Sequence, residues 1–157
     1  MFRPTQVLKN TRAACEYTQK IGLPVTSGGT DNHLWVADMR PKGTDGSRVE
    51  TVLDHVGIAI NKNTVPGDKS PLFPSGIRLG APAMTTRGCK EGDFIEIMKL
   101  IERATDIAVA VAKKSKGTKL KDFKEALQAE KDHADIVRLR ADVKAFVEQF
   151  PVPGGLI

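Results

Sequence analysis

The residues best suited to chemistry lie in one stretch, "NKNTVPGDKSPLFPSGIRLGAP", residues 61–82. Arg78 stands there between two apolar residues, Ile77 and Leu79. Strand alternation sends Ile77 and Leu79 to one face and Arg78 to the other. Gly76 and Gly80 remove side-chain bulk on either side, so a ligand can approach the backbone. A guanidinium so placed can take a carboxylate through two parallel hydrogen bonds. The competing reading is an ordinary edge-strand arginine, solvated or paired with a nearby acid. Asn61 and Asn63 stand where a strand gives way to a loop. Each amide can cap a turn or offer a donor and an acceptor to a heterocycle. Pro66, Pro71 and Pro74 restrict the loop between them, which lowers the ordering entropy lost on binding a ligand. Plain stiffening is the alternative.

Other candidate chemistry is sparse. "SGGTDNH" (27–33) is Gly-rich, but it lacks the phosphate-loop pattern and enters a strand rather than a helix. Asp31 and His33 form a polar pair or serve as turn and strand-start hydrogen bonders. Cys15 and Cys89 are far apart, and with three scattered histidines they form no zinc spacing. They read as buried thiols, and no metal site is expected. There is no nucleophile elbow and no dinucleotide fingerprint, so no local pattern completes a catalytic centre.

Composition narrows the classes. The 157 residues are 40% hydrophobic and 27% charged, enough for one domain with a real core. No apolar run approaches the ~20 residues of a membrane span, and "MFRPTQVLKN" has no signal-peptide core. Part of the net charge of +5 sits in "KKSKGTKLKDFK" (113–124), which carries six lysines and one aspartate. It reads as a solvated helix end and linker. Attraction to a polyanion is the alternative, but one Trp and one Tyr offer few stacking platforms, and nucleic acid is not expected as a partner.

The elements that must carry these residues follow from periodicity. Residues 4–20 read as a helix with Val7, Leu8, Thr11, Ala14, Cys15 and Thr18 inward, closed by Gly22 and Pro24. Residues 32–39 read as a strand with both faces covered. After the turn cluster 40–46, Ser47 and Glu50 suggest a capping box, and Gly57 ends the helix. Two short strands are expected at 58–60 and 77–79. A long helix spans about Glu91 to Lys114, with Phe94, Ile97, Met98, Ile101, Thr105, Ala108 and Ala112 inward and Gly117 ending it. Leu120, Phe123 and Leu127 mark a short helix. Ile136, Leu139, Val143, Phe146, Val147 and Phe150 mark the last, stopped by Pro151 and Pro153. The class is α+β, a small antiparallel sheet of about three strands packed with helices.

Taken in order, "SGGTDNHL", "RPKGTDGSRVE", "NKNTVPGDKSP", "PSGIRLGAPAMTTRG" and "FPVPG" resemble the C-terminal part of serine hydroxymethyltransferase, most of all the eukaryotic type. The resemblance covers essentially the whole chain. It implies the C-terminal domain of a fold-type I pyridoxal phosphate-dependent transferase. Residues 1–30 would be the end of the large domain and the connecting helix, and 31–157 the small domain. The family interconverts serine and glycine, with tetrahydrofolate carrying the one-carbon unit. The resemblance makes Arg78 the grip on the substrate carboxylate, and Asn63, Ser70, Pro71 and Leu72 contacts to the folate.

The family's Thr-rich stretch ending His-Lys, which supplies the Schiff-base lysine, has no counterpart here. No catalytic residue is therefore expected in this chain. It is expected to be inactive alone and not to bind pyridoxal phosphate stably, because the cofactor does the hard step. The implied partners are the missing large domain or a full-length subunit, in a homo-oligomer (dimer or tetramer). The compartment would be cytoplasmic or mitochondrial. A different class of reading is a non-catalytic paralogue that binds folate or pairs with a full-length subunit.

Overall fold

The structure is a computed structural model and describes residues 3–152 and 154. Pro153, expected to help stop the last helix, lies outside the described residues. The fold is α+β, with six α-helices and one three-stranded antiparallel sheet among the described residues. α1 spans Arg3–Lys20, β1 Leu34–Asp38, α2 Gly46–Val56, β2 Asn61–Asn63 and β3 Gly76–Gly80. Then come α3 (Pro82–Thr86), α4 (Glu91–Lys114), α5 (Leu120–Ala129) and α6 (Ala134–Val147).

The sheet order is β1-β3-β2, so the strand that carries Arg78 is central. Arg78 pairs with Val36 on one side and Asn61 on the other. Trp35, Ala37, Ile77 and Leu79 point toward the helices and are buried. The opposite face carries Leu34, Val36, Asn61, Asn63 and Arg78, none of them buried. The expectation that both faces of the first strand are covered is thus corrected: only its Trp35–Ala37 face is sealed.

The α4 stripe Phe94, Met98, Ile101, Thr105 and Ala108 is buried as its 3.6-residue period requires, and Ala104 and Val111 join it. Ile97 and Ala112 are half-buried at its edges. α1 lays Thr11, Ala14, Cys15 and Thr18 inward, but also Gln6 and Asn10. Those two polar side chains are tolerated because they are satisfied. The Asn10 amide nitrogen donates to Thr85 Oγ1 and to the Cys89 carbonyl, both at 2.8 Å, and its oxygen accepts from Gln6 at 2.8 Å. Gln6 also reaches Glu91 at 2.9 Å.

Three local readings change. The α2 cap is Asp45, which accepts the Arg48 N–H at 2.9 Å; Ser47 lies buried inside the first turn. Glu50 turns away from the helix start and pairs with the Lys62 ammonium at 3.0 Å. The second strand is Asn61–Asn63 rather than 58–60, because the polar segment is the one whose backbone meets β3. α3 was not anticipated; Pro82 at its first turn suits a helix start. Gly22 and Gly57 close their helices with positive φ, as expected. α4 ends at Lys114, a little before Gly117.

Candidate functional site

The Arg78 side chain is exposed, and among the described residues it has no hydrogen-bond or ion-pair partner. Its strand is paired on both sides, so the side chain rises from a fixed base. It borders a cleft of about 490 Å³ between the sheet end and the first half of α4. Its lining is largely apolar, with Trp35, Leu79, Phe94 and Met98, and includes His33, Asn61 and Arg78. A free guanidinium is suited to a carboxylate, which it can take through two parallel charge-assisted hydrogen bonds.

Of the two glycines beside Arg78, Gly76 makes room for the protein's own chain. A Cβ on Gly76 would meet Val65 Cγ1 at 2.5 Å and the Asn63 carbonyl oxygen at 2.8 Å. Gly76 is buried, and it lets the loop fold Val65 back onto the sheet. Gly46 in turn lets α2 approach this strand, because a Cβ there would strike the Gly76 carbonyl. Only Gly80 is exposed.

Asn63 shares the open face with Arg78, two positions along the sheet. Its amide nitrogen donates to the Thr64 carbonyl at 2.7 Å, which fastens the loop entry and leaves the amide oxygen free to accept. Ser70, Pro71 and Leu72 form a separate turn at the loop apex. The Ser70 carbonyl accepts the Phe73 N–H, and its hydroxyl accepts the Leu72 N–H, both at 3.2 Å. That turn presents Leu72 and Phe73, 79% and 72% exposed, to solvent.

Two residues that hold this loop were not singled out from sequence. Val65-Pro66-Gly67-Asp68 is a tight turn closed by the Asp68 N–H on the Val65 carbonyl at 3.1 Å, with Gly67 at φ +90°. The Asp68 carboxylate then accepts the N–H groups of Val65 at 2.9 Å and Ser75 at 3.0 Å. Partial burial works against its charge, but the hydrogen bonds at Ser75 and Val65, with Arg40 nearby, hold its carboxyl below the usual range. Arg40 grips Asp38 with two nitrogens and donates to the Pro66 carbonyl at 3.0 Å. The available signal was the V-P-G-D turn itself, whose aspartate is placed to bond the backbone around it.

The remaining candidates settle as structure. Asp31 does not pair with His33; it lies 3.8 Å from Arg12 at the surface. Asn32 accepts the Leu34 N–H at 2.9 Å, the turn role. Cys15 and Cys89 are free and buried, and burial followed by the nearby Asp93 charge pushes the Cys89 thiol up to about 11. No helix among the described residues is long and apolar enough to cross a membrane.

Residues 2–101 match the family model "Serine hydroxymethyltransferase", and this span contains Arg78 and the whole loop. The chain belongs to the serine hydroxymethyltransferase family. It is 46% identical over 151 residues to the cytosolic serine hydroxymethyltransferase of Oryctolagus cuniculus, covering 95% of this chain and 31% of that protein. It is 43% identical over 155 residues to the mitochondrial one of Candida glabrata, covering 96% and 32%. A chloroplastic relative from Arabidopsis thaliana is 42% identical over 151 residues, covering 95% and 28%. The chain thus spans less than a third of the length of these curated relatives. The family resemblance, the α+β class and the transferase family expected from the sequence all hold.

Proposed function

We propose that this chain is the substrate-carboxylate and folate wall of a serine hydroxymethyltransferase. In the complete enzyme, serine and tetrahydrofolate would become glycine and 5,10-methylenetetrahydrofolate, in the cytosol or in mitochondria. The carrying observation is Arg78: an unpartnered guanidinium on the open face of the central strand, inside the matched span. Its fork would hold the amino-acid carboxylate bidentately and so orient the bonds at the α-carbon. Asn63 would offer its free amide oxygen to the folate, and the Ser70–Leu72 apex would supply shape and apolar contact. Residues 1–30 would be the end of the large domain and the connecting helix, and 31–157 the small domain.

Pyridoxal phosphate does not fit this chain by itself. When bound in the family it serves as the electron sink for breaking bonds at the α-carbon. Holding it takes a lysine whose amine is kept uncharged by its surroundings, together with a seat for a phosphate. The described lysines are exposed, apart from Lys42, which is half-buried and 3.7 Å from Glu102. The chain's proposed part is therefore binding and orientation, completed by a large domain or a full-length subunit in a homo-oligomer.

The test is a chimera. This chain replaces the corresponding segment of the rabbit cytosolic relative, and serine–glycine interconversion is measured. Activity within about tenfold of the parent supports the reading. A folded, cofactor-loaded chimera without turnover overturns it and favours a non-catalytic paralogue.

A further inference from the structure

We infer that Arg40 and Asp68 are positioning residues: together they lock the 64–75 loop to the edge of the sheet and fix the apex that faces the ligand. The inference rests on the loop reading above for its ligand, but the lock stands on its own geometry.

A twelve-residue connection with three prolines has stiff segments, yet proline alone does not fix where those segments sit. Two side chains do that. Asp68 gathers the N–H groups of Val65 and Ser75 on a single oxygen, Oδ2. These are the outgoing and returning limbs of the loop, so one carboxylate closes its neck. Arg40 ties the same turn to β1. It holds Asp38, the last residue of that strand, through Nε and Nη2 at 3.0 and 2.6 Å, and spends a further Nη2 hydrogen bond on the Pro66 carbonyl. The fit is close, since a Cβ on Gly67 would lie 3.2 Å from Arg40 Nη1. Asp38 in turn pairs in register with Gly76, two residues before Arg78 on β3. Side-chain hydrogen bonds and strand pairing therefore join the loop's first turn to β3, the strand that carries Arg78.

The backbone adds fixed points on the returning limb. The Ser75 carbonyl accepts the Met39 N–H at 3.0 Å, and the Pro74 carbonyl accepts the Gly46 N–H at 3.0 Å. The neck is thus fastened to β1, α2 and itself, while the apex 69–73 has only its own turn. Without Arg40 and Asp68 the apex would sample many placements, and a ligand would have to order it on binding. A lock of this kind acts on ligand affinity more than on the core, because both side chains lie outside the buried cluster.

The test uses the whole chain with Arg40→Met, Arg40→Lys and Asp68→Ala. Lys69 is exposed at the apex and offers one tryptic site in the loop. Arg40→Met and Asp68→Ala are expected to speed cleavage after Lys69 by about tenfold or more, with Arg40→Lys between them and the parent. Thermal melting should move by only a few degrees. Unchanged cleavage, or faster cleavage that merely tracks global unfolding, overturns the lock. Equilibrium dialysis against 5-formyltetrahydrofolate is the second readout. If the parent chain binds, both variants should raise Kd about tenfold; binding that both variants leave unchanged would overturn the positioning role. If the parent does not bind, the folate reading of the isolated loop fails, and the cleavage rates alone decide the lock.

Discussion

Arg78 and Asn61 face each other across the central and edge strands, on the side of the sheet turned away from the helices. The pairing places a guanidinium and a carboxamide side by side on that open face, with Asn63 two positions along. Neither Arg78 nor Asn61 contributes to the core. Their replacement should therefore separate binding from stability.

Arg78→Ala is expected to leave the melting temperature of this chain within about 2 °C, since an exposed, unpartnered side chain contributes within about ±0.5 kcal/mol. Gly76→Ala, two residues away, should be the damaging change. Its methyl group would meet Val65 Cγ1, the Asn63 carbonyl oxygen and the Ala37 carbonyl oxygen within 2.5–3.1 Å. Overpacking against backbone costs about 1–3 kcal/mol. Denaturant unfolding of the two variants side by side measures the contrast.

The orientation of Arg78 was legible in sequence because alternation needs only its two apolar neighbours. The role of Gly76 was not, since a glycine beside an arginine looks the same whether a ligand or Val65 fills the space. Strand β2 was misplaced by three residues for a related reason. Ile58 and Ile60 have the strand-like side chains, but backbone pairing with β3 fell to Asn61–Asn63. Arg40 and Asp68 are far apart in sequence, and nothing local links them. The buried Asn10 sat within a helical stripe that polarity argued against; only its partners 75 and 79 residues away explain it.

Asn10→Leu should destabilise the chain by about 1–3 kcal/mol, because it strands the Cys89 carbonyl and removes the acceptor for Gln6. Thr85 loses a donor but keeps its own bond to the Ala81 carbonyl at 2.7 Å. Thermal or urea unfolding checks the value. A neutral result would mean that the polar bridge between α1 and α3 is replaceable by packing.

Stability should fall as the solution is acidified, through His55. Burial, followed by the positive charges of Arg140 and Lys131, pushes its imidazole below the ordinary 6.5. Its Nε2 is buried without a hydrogen-bond partner among the described residues. Arg140 also donates to the His55 carbonyl at 3.3 Å, and Lys124 and Asp54 line the same crevice. The unfolded chain binds the proton first, so stability declines as pH drops from about 6.5 and levels off below the folded pKa. Urea midpoints between pH 7.5 and 5 should slope more for the parent than for His55→Gln. Equal slopes would contradict this.

The isolated chain should form no glycine from serine and tetrahydrofolate when pyridoxal phosphate is added. None of its described lysines is buried away from water or neighbouring charge. Turnover by pure protein, dependent on the cofactor, would show that the chain seats it after all.

The most direct measurement is serine affinity in the chimera described above, carrying Arg78→Lys. Lysine keeps the charge but loses the planar fork. A charge-assisted contact of about 1.5–3 kcal/mol predicts serine binding weaker by about tenfold or more, with the fold and cofactor loading unchanged. Serine affinity equal to that of the Arg78 chimera would contradict the carboxylate grip and place that contact on another residue.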